Sequence, residues 1–250
     1  GKAAGEDEIP AELLKAGIEP LAESILHLIS ACWSSKSVPQ DFKNAKITTL
    51  YKNKGERGDC NNYRGISLLC VTGKVLARIL LRRLQQLAER VYPEAQCGFR
   101  AKRSTTDMIF AVRQLQEKSR EQRQPLYLAF VDLTKAFDLV DRTSLFTVLA
   151  KAGCPPTLLA LIQSFHEGML ARVQYDGAIS DSFPINKGVK QGCVLAPTLF
   201  GLYFSYVFRV TNSNLVSSTG VSILSRDDGN FFNLSRFKAK SRTQRVIVSE

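Results

Sequence analysis

Apolar residues along the chain recur first at helical spacing and later at mixed spacing, and that change predicts the order of elements. "LAESILHLISAC" places Leu21, Ile25, Leu28, Ile29 and Cys32 one helical face apart, predicting a helix that ends near Trp33. "AKITTLYK" reads as a short strand, followed by the polar loop "NKGERGDCNN". "TGKVLARILLRRLQQLAERV" predicts a long amphipathic helix. Its apolar side is Leu76, Ile79, Leu80, Leu84 and Leu87, with Arg78, Arg82 and Arg83 on or beside the polar face. "STTDMIFAVRQLQEKSR" is a further helix, with Ser104 or Thr105 as its cap.

After the polar break "EQRQP" an apolar run predicts a buried strand over 126–133. "RTSLFTVLAKAG" predicts a helix capped by Asp141 and closed by Gly153. "TLLALIQSFHEGML" is helical, "ARVQYDGAISDSFPI" predicts a hairpin turning at Asp176-Gly177, and "PTLFGLYFSYVF" a buried helix. Helices dominate the first half and strands mix with helices in the second. The expected class is therefore α+β, with a boundary near Pro125.

Composition narrows the function classes. At 250 residues and 44% hydrophobic, the chain can bury a core as one large domain or two smaller ones. It begins with Gly and shows no charged-then-apolar leader, which reads as a piece of a longer polypeptide. Its longest apolar stretch contains Pro197 and is too short to span a bilayer, so no membrane partner is expected. The cysteines, Cys32, Cys60, Cys70, Cys97, Cys154 and Cys193, are far apart and not near a His. Their spacing excludes zinc signatures and suggests reduced thiols inside a cell.

Charge changes the picture more. The net charge is +11, and Arg64 to Arg103 holds nine Lys or Arg against two Glu. A second basic cluster comprises Arg236, Lys238, Lys240, Arg242 and Arg245. Two such stretches favour a polyanionic partner, nucleic acid foremost.

Candidate chemistry centres on "FVDLTKAFDLVD", where Asp132 ends the apolar run. A carboxylate on a rigid strand end suits Mg²⁺, which prefers hard oxygens and shares its shell with substrate phosphates. One Asp does not build a two-metal site, which needs further carboxylates. By itself a strand-end Asp is more often structural than catalytic. An aspartyl phosphatase would need a second Asp where Thr134 stands, and is set aside.

The same motif closely resembles the first catalytic motif of reverse transcriptases of non-LTR (LINE-type) retrotransposons. The likeness continues, in order, through "GEDEIPAELLKAG", "VPQDFKNAKITTLYKNKGERGDCNNYRGISLLCVTGKVLARILLRRL", "PEAQCGFRAKRSTTDMIF" and "NKGVKQGCVLAPTLFGLYF". The resemblance implies a right-hand polymerase, with fingers over 1–125 and a partial palm over 126–250. It implies RNA-directed DNA synthesis on an RNA template and DNA primer from dNTPs, dependent on Mg²⁺ with Mn²⁺ as a substitute, in cytoplasm and nucleus.

It also implies residue roles. Asp132 would be the catalytic metal ligand. Phe137 would lie beneath the incoming sugar and exclude a 2′-hydroxyl, or else belong to the core of the turn. Arg64 would grip the triphosphate with its fork of donors. Lys52, with Lys54 as rival, would be a second phosphate contact. Gln191 and Gly192 would support the nascent pair, an amide bonding sugar or base and a glycine allowing close approach. Arg78, Arg82 and Arg83 would track template phosphates.

In the family, adjacent Asp residues on a hairpin complete the metal site. Here Asp227-Asp228 stands in "VSILSRDDGNFFNL". Preceded by Arg226 and followed by Gly229, it reads instead as an ordinary turn, with a basic helix after it through "LSRFKAKSRTQRV". The catalytic pair and the thumb are then expected beyond Glu250, and the 250 residues alone are expected to be inactive. Two rival readings are a catalytically dead RNA-binding remnant and a group II intron-type maturase.

Overall fold

In chain order the elements are α1 (Ala11–Ala16), α2 (Ile18–Ser35), α3 (Gln40–Lys43), β1 (Ala45–Tyr51), β2 (Tyr63–Leu68), α4 (Val71–Val91), α5 (Thr105–Glu121), α6 (Arg142–Lys151), α7 (Pro156–His166), β3 (Leu170–Tyr175), β4 (Ala178–Ile179), β5 (Phe183–Pro184), α8 (Ala196–Ser213), β6 (Val221–Arg226) and β7 (Thr243–Val248). The structure is a computed structural model that describes residues 3–213, 221–226 and 243–248, with side chains described to residue 211. Two compact units form: residues 1–92 with 133–206, and residues 93–132 with 207–250.

The first unit packs helices against a five-stranded sheet of order β2-β1-β3-β4, with β5 also on β3. β1 runs antiparallel to β2, setting Tyr51 opposite Tyr63 and Ile47 opposite Ser67. It runs parallel to β3 from Ala45 beside Ala171. The β3–β4 hairpin turns at Asp176 and Gly177, both at positive φ (48° and 79°), as the Asp-Gly pair requires. The core is built on the apolar stripe of α4: Leu76, Leu80, Leu84 and Leu87 meet Leu145 and Leu149 of α6, Leu161 and Ile162 of α7, and Leu199 and Leu202 of α8. α4 starts after Cys70, whose thiol accepts from the Gly73 amide at 3.2 Å. The stripe expected on α2 is buried only at Cys32, since Leu21 and Leu28 are exposed.

In the second unit, α5 opens with a capping box between Ser104 and Asp107. β6 pairs antiparallel with β7, Val221 opposite Val248. A helix expected through residue 246 is thus corrected at its end, where Thr243–Val248 is a strand. Asp227-Asp228 lies outside the described residues.

The strand expected over 126–133 does not form. No described strand pairs with this segment, so it has no ladder to hold it. Tyr127, Phe130 and Val131 are 90%, 89% and 80% exposed. An apolar run alone does not make a strand, because its backbone groups need a partner edge.

Candidate active site

The turn Phe137–Asp141 and the loop Lys187–Gly192 are joined by main-chain hydrogen bonds. The Val189 amide donates to the Phe137 carbonyl at 2.8 Å, and the Gly188 amide to the Val140 carbonyl at 2.9 Å. Gly188 is at φ 76°, and a Cβ there would fall 2.5 Å from the Asp138 carbonyl oxygen, so only glycine lets the loop seat. At the other end of the loop the Ser67 amide of β2 donates to the Gln191 carbonyl at 2.9 Å. Gly192 (φ 111°) lies against Ser67 as closely as Gly188 lies against Asp138.

Beside this loop a cleft of about 250 Å³ is lined by Ile47, Gly65, Ser67, Asp138, Lys190 and Gln191, among others. The strand period places Gly65 and Ser67 on the cleft face of β2 and Arg64 on the opposite face. Asp138 is exposed overall, yet partial desolvation of its carboxyl raises its pKa from the ordinary aspartate value, against the pull of Lys135. Lys190 is buried, and loss of hydration pushes its amine down to about 8. Its Nζ donates to the Lys43 carbonyl at the end of α3.

Apart from Asp132, the predicted residues fall into three groups. Phe137, Gln191 and Gly192 share the hydrogen-bonded block just described. Phe137 is half-buried, its ring 4.9 Å from that of Phe200 on α8, with Phe204 stacked beyond. Arg64 is exposed on β2 opposite Leu50, and Lys52, at the end of β1, donates from Nζ to the Asn61 carbonyl at 2.9 Å. Arg78 and Arg82 are exposed on α4 at i,i+4 spacing. The guanidinium of Arg83 instead lies over the Trp33 ring, 4.1 Å from its centroid.

Asp132 belongs to the second unit and is exposed. It has the hard oxygens a divalent cation takes, but the described residues contain no group of three or more His, Cys, Asp or Glu that could hold a metal. They do not assemble a metal site by themselves. Sequence reasoning missed Ser67, Gly188, Lys190 and Arg142 around the loop. Their signals were faint: a lone Lys in the apolar run "GVKQGCVLAP", and an Arg directly after the Asp141 cap.

The reverse transcriptase (RNA-dependent DNA polymerase) family matches residues 51–228. Among curated relatives, the RNA-directed DNA polymerase from mobile element jockey of Drosophila melanogaster is 30% identical over 206 residues, 82% of this chain and 22% of the relative. Its counterpart in Drosophila funebris is 34% identical over 167 residues, 66% of this chain and 18% of that one. The putative 115 kDa protein of retrotransposable element R1DM of Drosophila melanogaster is 29% identical, over 82% of this chain and 20% of its own length. The chain thus spans about a fifth of these relatives. A solved structure of apo telomerase from Candida tropicalis, truncated from its C-terminal domain, superposes with a TM-score of 0.53 at 16% identity. It covers 82% of this chain and 47% of the telomerase chain, and shows the reverse transcriptase-like α+β fold. Enzymes of the family depend on a divalent metal, an RNA template and nucleotides. By the match of the family over residues 51–228 and the likeness to the jockey polymerases, this chain belongs to the reverse transcriptase family.

Proposed function

We propose that the chain is the fingers (1–125) and part of the palm (126–250) of a retrotransposon enzyme that copies RNA into DNA from a DNA primer and dNTPs, inside the cell. The observation that carries this reading is the bonded block in which the Phe137 turn, the Gln191–Gly192 loop and β2 are held together. It gives a rigid floor on which an incoming nucleotide can be oriented, and orientation is what nucleotidyl transfer most needs from protein.

On this reading Phe137 meets the sugar, backed by Phe200 so that the ring holds its place. Gln191 offers its amide to sugar or base, and Gly192 keeps the backbone close. Arg64 and Lys52 bind the triphosphate from the exposed end of the β1–β2 pair. Arg78 and Arg82 contact template phosphates, with Arg83 beside them on Trp33. Asp132 is one ligand of Mg²⁺, or of Mn²⁺ in its place, and the remaining carboxylates lie outside the described residues.

Steady-state primer extension on an RNA template, by a polymerase-length protein carrying these 250 residues, tests the reading. Phe137→Val should raise the use of NTPs relative to dNTPs about tenfold or more while dNTP incorporation survives, since one buried contact can set that much discrimination. Failure to use dNTPs at all would overturn the function, and an unchanged NTP-to-dNTP ratio would return Phe137 to simple packing against α8.

A further inference from the structure

Arg142 is the first residue of α6, fixed there by the Asp141 cap, whose carboxylate accepts from the Ser144 amide at 2.7 Å. Its half-buried guanidinium donates to three main-chain carbonyls from three nitrogens. Nε reaches Gly188 at 2.9 Å, Nη2 reaches Lys187 at 3.1 Å, and Nη1 reaches His166 at 2.5 Å. Gly188 and Lys187 begin the loop that ends in Gln191 and Gly192. The His166 carbonyl is among the acceptors that the C-terminal end of α7 leaves without an intrahelical donor, where the helix dipole also favours a cation. Burial lowers the affinity of the guanidinium for its proton, so desolvation is a real cost of placing it here.

The geometry is that of a clamp on the loop. Four bonds run between residues 137–142 and 187–189: two from the loop amides to Phe137 and Val140, and two from Arg142 back to the loop carbonyls. Arg142 supplies the second pair and, through the His166 carbonyl, ties the turn to α7. A lysine has one nitrogen and cannot span three diverging carbonyls, whereas the planar fork of an arginine does. With the Gln191 carbonyl held at the far end by the Ser67 amide, and only Lys190 between the two anchors, Gln191 has little freedom left.

We propose that Arg142 is a positioning residue for nucleotide selection: by clamping Lys187 and Gly188 to the Phe137 turn it fixes where Gln191 stands relative to Phe137. The proposal rests on the reading of Gln191 and Phe137 as nucleotide contacts. It assigns Arg142 no contact with substrate. Its effect reaches the nucleotide only through Gln191, which separates it from an arginine that merely stabilises α6 and α7.

The test is a double-variant cycle in the polymerase-length protein, with KM for dNTP and KM for primer-template measured separately. Arg142→Gln should raise the dNTP KM about tenfold, a loss of the size that small misplacements of a positioned group produce. The primer-template KM should stay within about twofold of the parent's, because the loop is not a phosphate-tracking surface. Adding Gln191→Ala should cost little beyond the worse single variant, since both act through one contact. Arg142→Lys keeps the charge and one bond, and serves if the Gln variant fails to fold. It should show the same dNTP-specific rise in smaller measure. Folded variants with the parent's dNTP KM, or effects that add in full to those of Gln191→Ala, overturn the proposal. If Gln191→Ala alone leaves the dNTP KM unchanged, the reading of Gln191 fails first, and the role of Arg142 falls with it.

Discussion

Gly192→Ala is the perturbation whose cost follows most directly from the geometry. Gly192 sits at φ 111°, a backbone region almost closed to residues with a Cβ, and holding alanine there costs about 1–3 kcal/mol. The added Cβ would also fall 2.6 Å from the Ser67 carbonyl oxygen, a backbone atom that cannot rotate aside. The loop must therefore lift from β2, weakening the bond from the Ser67 amide to the Gln191 carbonyl, worth about 0.5–1.5 kcal/mol net. Together these predict a loss of about 1.5–4.5 kcal/mol. Gly177→Ala provides the reference. Gly177 is at φ 79° in the β3–β4 turn, with nothing within 4 Å of its would-be Cβ, so only the backbone cost applies, about 1–2 kcal/mol. Urea unfolding followed by the fluorescence of Trp33, the single tryptophan and a residue of the first unit, reads both variants. If Gly192→Ala costs no more than Gly177→Ala at unchanged m, the loop does not rest on β2 as described, and the placement of Gln191 fails with it.

Two further outcomes follow from charge. Replacing Arg78 and Arg82 by Gln should flatten the slope of log affinity for RNA against log salt by about 0.7 for each phosphate no longer neutralised, and an unchanged slope would remove α4 from the template path. His166 is buried with Nδ1 2.7 Å from the Ile162 carbonyl, and burial drives its pKa down to about 4 from 6.5. Its folded pKa lies below the unfolded one, so the unfolded chain takes up the proton first and stability is lost as pH falls from about 6.5 to about 4. His166→Gln should make urea midpoints less sensitive across that window, whereas an equally steep acid limb would place the titration elsewhere.

The long helices were legible because their signals are local. The stripe of α4, the Asp141 cap of α6, the capping box of α5 and the Asp-Gly turn after Tyr175 each lie within a few residues of chain. β2 was not read as a strand, since "NYRGISLL" lacks alternation and gains its ladder only from β1. The strand expected at 126–133 failed for the converse reason: the apolar pattern is present, but no described edge pairs with it. At the candidate site, motif likeness singled out Gln191 and Phe137, but not what holds them. Arg142 and Gly188 are separated by 46 residues, so their bond is visible only once the chain has folded.

The central claim is that Asp132 serves RNA-directed DNA synthesis and that Asp227-Asp228 does not. Single-turnover primer extension on an RNA template, with a polymerase-length protein carrying these residues and folding checked by circular dichroism, puts it to the test. Asp132→Ala should abolish incorporation with Mg²⁺ and with Mn²⁺, because a missing metal ligand removes the charge stabilisation on which phosphoryl displacement depends. Asp227→Ala combined with Asp228→Ala should leave most of the activity. Activity that survives Asp132→Ala, or a double variant as inert as that single one, would contradict the account.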